Sequence, residues 1–399
     1  MNFFKKYFKG DPHIWAIIVG LSVFSLLAVY SSTGTLAYRW MGGNTAFYIL
    51  RHSTFLMFGL MAAFVLHMIP YRFYAGISQL LIILVIPLLL LTLIFGVGSA
   101  PRWLSVFGMT FQSSDLAKMA LIMYLAQRLA SRQEEIGDFK KTLVPMFVVI
   151  GLVCVLIMPA NFSTAALLFT VCVLLLFVGR ASVKHLASLC AITLVLGAIL
   201  VGSLWGLQKA GVNNVVTQRA VTWVNRIDRF WGNSPQENVL DENFQAIQAK
   251  IAVGTGGFFG KGPGNSVQRN FLPHPYSDFI FAIIVEEWGV FGGMILIFLY
   301  INLLYRSILI VRKCDKTFPA FLVMGLSFIV VFQALINMGV AVGLMPITGQ
   351  PLPLVSMGGT SMLFTGAAFG IILSVSRDVR RKEEPQPETE EPADEEKTE

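Results

Sequence analysis

The chain has 399 residues, of which 55% are hydrophobic and 13% charged, with a formal net charge of +7. Soluble domains carry about 25% charged residues, so lipid is the natural solvent for this surface and a water-soluble enzyme is excluded. A nucleic-acid face is excluded too: the last 17 residues, from Glu383, hold nine acids and one lysine, and the basic excess elsewhere sits mostly in short loops between apolar runs, the signature of membrane orientation.

A bilayer-crossing helix needs about 20 apolar residues. Ten runs qualify, near 14–32, 46–69, 77–97, 114–131, 143–158, 163–179, 185–206, 278–305, 317–341 and 354–376. With the N-terminus inside, the inside segments hold 18 Lys and Arg, and the short outside loops hold only Arg39 and Arg102. That asymmetry puts both termini in the cytoplasm. The fold predicted is an all-α polytopic membrane protein of about ten transmembrane helices. One membrane domain covers 1–382, and an acidic cytoplasmic tail over 383–399 is expected to be disordered. The fifth and sixth runs are short and separated only by Pro159 to Phe162; two tilted helices or a re-entrant hairpin both fit. Cys154, Cys172, Cys190 and Cys314 show no metal or disulfide spacing and read as small hydrophobes.

In chain order, His52 and His67 of the second run lack a partner cluster and read as packed core residues. Arg102 precedes the fourth run. There Ser113 or Ser114 is expected to cap the helix, and Asp115 and Lys118, three apart, can pair on one face. Residues 207–277 form one large outside loop between helices 7 and 8, with Trp205, Trp223 and Trp231 suited to the membrane interface. Residues 241–253 read as a helix. Gly254, Gly256, Gly257, Gly260, Gly262 and Gly264 follow. The P-loop spacing fails here, since Thr255 and Gly262 stand where it needs a glycine and a Ser or Thr. A tight turn and a backbone nest for a pyrophosphate both remain open. Lys261, Arg269 and the other cations of this loop either grip an anionic lipid head group or anchor phospholipids.

Asp278 stands where the outside loop enters the eighth run. Half desolvation there would make it a better general base; a helix N-terminal acid is the plainer reading. Glu286 and Glu287 lie about 12 Å deeper and suit a buried polar contact with another helix. The last outside loop, GLMPITGQPLPLVSMGGTS, carries no charge. Irregular backbone at that depth must be received by protein, so this loop is expected to dip inward.

Three stretches, APRWLSVFGMTFQSSDLAKMALIMYLA, NFQAIQAKIAVGTGGFFGKGPGNSVQRNFLPHPYSDFIFAIIVEEWG and GLMPITGQPLPLVSMGGTSMLFTGAAFGIIL, resemble the shape, elongation, division and sporulation (SEDS) family, its FtsW-like septal branch above the RodA branch. The likeness covers roughly 14–378. It implies a glycosyltransferase of the inner membrane, at the division septum, that polymerises lipid II. Asp278 falls on the family's catalytic aspartate. Arg102, Lys118, Gln245, Gln248, Lys261, Arg269, Ser356 and Thr360 would contact substrate, with Asp115, Glu286 and Glu287 in support. Asp115 stands where the family often has Glu, Asn161 where it often has Asp, and Arg269 where it often has Lys. The resemblance implies a class B penicillin-binding protein transpeptidase as partner, along with other division proteins and membrane lipids. No metal ligand cluster is visible at Asp278, although a divalent cation (Mg or Mn) bridging the pyrophosphate would be chemically sensible. A lipid II flippase and a division scaffold are the competing readings.

Overall fold

The computed structural model describes residues 7–40, 44–96, 102–106, 109–211, 217, 221–224, 241–272 and 275–383. Trp231, Arg219, Arg226, Arg229 and the expected tail from 384 lie outside the described residues. The long helices are α1 (Pro12–Trp40), α2 (Thr45–Met68), α3 (Tyr71–Phe95), α4 (Ser113–Ser131), α5 (Val144–Ile157), α6 (Phe162–Val178), α7 (Val183–Lys209), α8 (Asp241–Gly256), α9 (Ile280–Arg312), α10 (Thr317–Ala341) and α11 (Thr360–Glu383). Each predicted apolar run falls on one of them, and 241–253 falls on α8. Eight helices among the described residues are long and apolar enough to cross a bilayer, α5 counted with the π-turn Phe139–Leu143 that leads into it. Beside these eight, α4 carries Asp115, Lys118 and Arg128, and α6 has 17 residues. The fifth and sixth runs form two helices packed on each other.

Local chemistry sets the breaks. The Asn44 side chain accepts from Phe47 N to cap α2. Asn161 accepts from Thr164 N to cap α6, a task an aspartate at this position would also perform. Two expectations are corrected. Gln112, not Ser113 or Ser114, occupies the N-cap of α4, and it makes no capping bond; Ser113 instead accepts from Thr92, and Ser114 from the Gln112 side chain. A two-stranded hairpin, β1 (Trp103–Val106) and β2 (Met109–Gln112), fills the connection between α3 and α4, where no strand was predicted. Its alternating pattern around Phe107–Gly108 is the signal available in the sequence.

α10 runs through the middle of the bundle and touches α4, α6, α8, α9 and α11. α7 meets the bundle through α6, and of its residues only Leu186 is buried, as expected of a helix that faces acyl chains. Trp223, expected at the interface, is buried against Phe162 with ring centroids 5.3 Å apart.

The start of α1 and the end of α11 share one face. Arg380 donates to Gly10 O, Arg306 binds Asp11, and Lys382 binds Asp315. The hydrogen bond from the Lys382 ammonium holds the Asp315 carboxyl below the usual range. This is the basic, inner face. Glu383, expected to open the tail, ends α11 and pairs with Lys313 at 2.9 Å.

α2 and α11 pack backbone to backbone through Gly59, Gly366 and Gly370, the small-residue interface of membrane helices. A Cβ at Gly366 would stand 2.0 Å from Gly59 O. Gly366→Ala is therefore expected to cost about 2 kcal/mol, read as a lower Tm in detergent. At Gly151 an added Cβ meets nothing within 4 Å, so Gly151→Ala should leave the Tm in place.

Candidate active site

The last outer loop, residues 342–359, is exposed at Leu344 and Met345 and then turns into the protein, so that Thr348, Gln350 and Leu352 to Ser356 are buried with irregular backbone. Buried carbonyls need donors, and side chains from three helices supply them. Asn337 and Gln333 of α10 donate to Gln350 O at 2.7 Å and Pro351 O at 2.9 Å. Tyr300 of α9 donates to Pro353 O at 2.6 Å, and Ser25 of α1 to Val355 O at 3.0 Å. Ser25 also meets His52, which is buried as expected. Gln350 in turn donates to Thr164 Oγ1 of α6 at 2.6 Å. The inward dip read from composition is held by this set of polar contacts.

Gly349 sits in this loop with φ +63°. A Cβ built there would lie 3.5 Å from Asp278 Oδ2 and 3.7 Å from Arg102 Nη1, so carboxylate and guanidinium flank the same point. Arg102 Nε donates to Ala160 O at 2.8 Å, which anchors the cation to the α5–α6 connection. Asp278 lies just before α9 and outside its helical residues. Ser277 Oγ donates to its Oδ1 at 2.9 Å. Met357 N donates to Tyr276 O at 2.9 Å, Ser356 Oγ to Ser277 O at 2.7 Å, and Asn337 Nδ2 to Asp278 O at 2.8 Å. Burial, with Tyr48 nearby, pushes the Tyr276 phenol up.

Beneath this mouth, Asp115 and Lys118 pair at 2.8 Å as their spacing predicts, and Lys118 also donates to Gln333 Oε1 at 3.0 Å. Lys118 is 6% exposed and Asp115 3%. Lys118 therefore braces the Pro351 segment through Gln333. Among the described residues nothing donates to Asp115 Oδ2, and the residue borders a cavity of about 20 Å³ shared with Lys118, Gln333, Ser361 and Thr365, large enough for one water.

Lys261 and Arg269 lie against the two buried acids of α9. Glu286 Oε1 receives Lys261 Nζ at 2.6 Å, while Ser266 Oγ and the Val267 and Gln268 amides complete its shell. Ser31 of α1 donates to Glu287, and Arg269 donates to Ser31 O at 2.8 Å. Glu287 thus makes the buried contact with another helix predicted for it, whereas Glu286 is buried against the outer loop instead. The glycine cluster takes the turn reading. α9 breaks at Gly289, and the groups freed there pair with it: Lys261 N to Glu286 O, Gly262 N to Glu287 O, Val290 N to Gly257 O and Phe291 N to Phe258 O. The eighth run, predicted as continuous, is therefore two helical segments joined across a kink at Gly289.

Ser356 is consumed in holding Leu352 N and Ser277 O. Thr360 Oγ1 accepts from Gln112 N at 3.4 Å. Gln245 and Gln248 lie half-buried on α8, continuing the inward stripe of Ala249 and Ala252. Sequence reasoning missed Gln333, Asn337, Thr164, Gln350 and Gly349. The available signal was the pair Gln333 and Asn337, two amides one turn apart in an otherwise apolar run.

An apolar groove of about 280 Å³ lies between α6 and α10, lined by Phe162, Leu167, Trp223, Phe332, Ile336 and Met345 among others. Thr348, next to Gly349, also lines it. Among the described residues no three His, Cys, Asp or Glu side chains converge on a point.

A relative from Nitrosococcus halophilus named as a peptidoglycan glycosyltransferase, FtsW, is 33% identical over 85% of both chains. Stage V sporulation protein E of Bacillus subtilis is 32% identical over 92% of this chain and 98% of its own. Among solved structures, a chain of a peptidoglycan synthase complex that coordinates polymerization and crosslinking superposes with a TM-score of 0.67 at 26% identity, over 93% of this chain and 98% of that one. Rod shape determining protein RodA of Thermus thermophilus shares the fold, with a TM-score of 0.64 at 24% identity over 92% of this chain and 97% of that one. The family model described as cell cycle protein, covering FtsW, RodA and SpoVE, matches residues 12–381, and the chain belongs to that family.

Proposed function

We propose that this chain is a peptidoglycan glycosyltransferase that polymerises lipid II on the outer face of the inner membrane, with Asp278 as general base. The observation that carries this reading is the Asp278 carboxylate and Arg102 guanidinium meeting at Gly349, beside Thr348 of an apolar groove. Asp278 takes the proton from the acceptor sugar's 4-hydroxyl as that oxygen attacks the anomeric carbon of the donor. The bond from that carbon to the pyrophosphate breaks, undecaprenyl pyrophosphate leaves, and attack from the opposite face inverts the anomeric centre. Charge grows on the departing pyrophosphate, and a guanidinium is suited to receive it with two parallel donors. The groove is apolar enough to seat part of a prenyl chain. The relatives named for peptidoglycan synthesis support the substrate class.

The partner in this reading is a class B penicillin-binding protein, which crosslinks the strand as it is made. The place of work is the division septum, in the company of other division proteins.

The test is glycan synthesis from labelled lipid II by the purified chain with its transpeptidase partner. Strands are expected. Movement of lipid II across a proteoliposome membrane with no polymer would contradict the proposal. Arg102→Ala should lower kcat/KM by about tenfold to a hundredfold, the loss expected for one charge-assisted hydrogen bond to an anion.

A further inference from the structure

We infer that Asn337 is a positioning residue for Asp278. The inference rests on the reading of Asp278 as the base. Asp278 precedes Phe279, the N-cap of α9, whose φ of −110° and ψ of 17° are not helical. The segment that aims the carboxylate therefore depends on contacts from outside its own helix. Tyr276 O and Ser277 O are received by Met357 and Ser356, both members of the irregular loop. Asp278 O is received by Asn337 Nδ2 at 2.8 Å, and the same nitrogen donates to Gln350 O at 2.7 Å.

Asn337 thus ties the acid and the residue after Gly349 to one rigid point on the most central helix. It is 1% exposed. Two carbonyls converge on one end of its amide, which fixes the nitrogen there; the oxygen Oδ1 has no partner among the described residues. Its neighbour one turn earlier, Gln333, holds the same loop at Pro351 but does not touch Asp278. Gln333 holds the loop alone, whereas Asn337 holds both the loop and the base.

The experiment measures kcat and KM for lipid II polymerisation, per folded protein and with the transpeptidase partner present. The variants are Asn337→Leu, Gln333→Leu and Asp278→Asn. Asn337→Ser, which keeps one donor, stands in if the leucine variant does not fold. Misplacing a reacting group by about 1 Å costs about 100-fold in rate. Asn337→Leu should lose that factor from kcat and kcat/KM together, the pattern of an interaction that serves the transition state, and Gln333→Leu should lose much less. Equal losses in the two variants, or a normal kcat in folded Asn337→Leu, would overturn the inference. Asp278→Asn keeps the two ideas apart. Full activity there defeats the base itself. An inactive Asp278→Asn beside a fully active Asn337→Leu defeats only the positioning role.

Discussion

Asp278→Asn should abolish glycan synthesis, with a fall in kcat of about 10³-fold, while lipid II still binds. The amide has the shape of the carboxylate and can still accept from Ser277, so the fold and the Arg102 anchor at Ala160 remain. It cannot take a proton. General base catalysis contributes about 10² to 10⁴-fold, which sets the size of the loss. Asp278→Glu keeps the charge but lengthens the reach by one methylene, toward the point flanked by Gly349 and Arg102. Misplacement there should cost about 100-fold. The two variants together separate charge from geometry: a base needs both, whereas an acid that only favours the helix N-terminus would lose little in either.

Gly289→Ala should lower the Tm of the protein sharply. Gly289 has φ +70° and ψ −173°, a region held almost exclusively by glycine. Its Cβ would stand 2.1 Å from Phe258 O and 2.5 Å from Gly260 N. These neighbours are backbone, and they are pinned by the bonds that satisfy the broken helix, so neither side can yield cheaply. Strain and overpacking together are expected to cost about 4 kcal/mol, against a total stability of about 5–15 kcal/mol for folded proteins in general. Size-exclusion profiles and Tm in detergent measure it. A normal Tm for Gly289→Ala would show that the α9 break and the glycine cluster are not clasped as described.

The helices were legible because lipid imposes a simple rule: about 20 apolar residues per crossing and no exposed irregular backbone. That rule also foretold that the proline- and glycine-rich loop around Gln350 turns inward. It did not say what would receive the loop. Asn337, Gln333, Tyr300 and Ser25 come from distant runs, and no local pattern marks which carbonyl each will meet. Charge was legible as type and not as partner. Lys261 and Arg269 looked available to substrate, yet burial of Glu286 and Glu287 requires compensation, and these cations and the Ser31 hydroxyl provide it. The break at Gly289 escaped because a lone glycine inside an apolar run is usually tolerated; only the facing backbone of Phe258 makes it obligatory.

Everything functional turns on one acid at the outer mouth, and it is tested most directly by following fluorescent lipid II through the purified complex on a glycan gel. The partner's crosslinking serine is removed, and wild type and Asp278→Asn are run side by side with bound lipid II quantified in each. Long strands from the wild type, none from the variant and equal binding in both are expected. Strands of normal length and yield from Asp278→Asn would contradict the assignment.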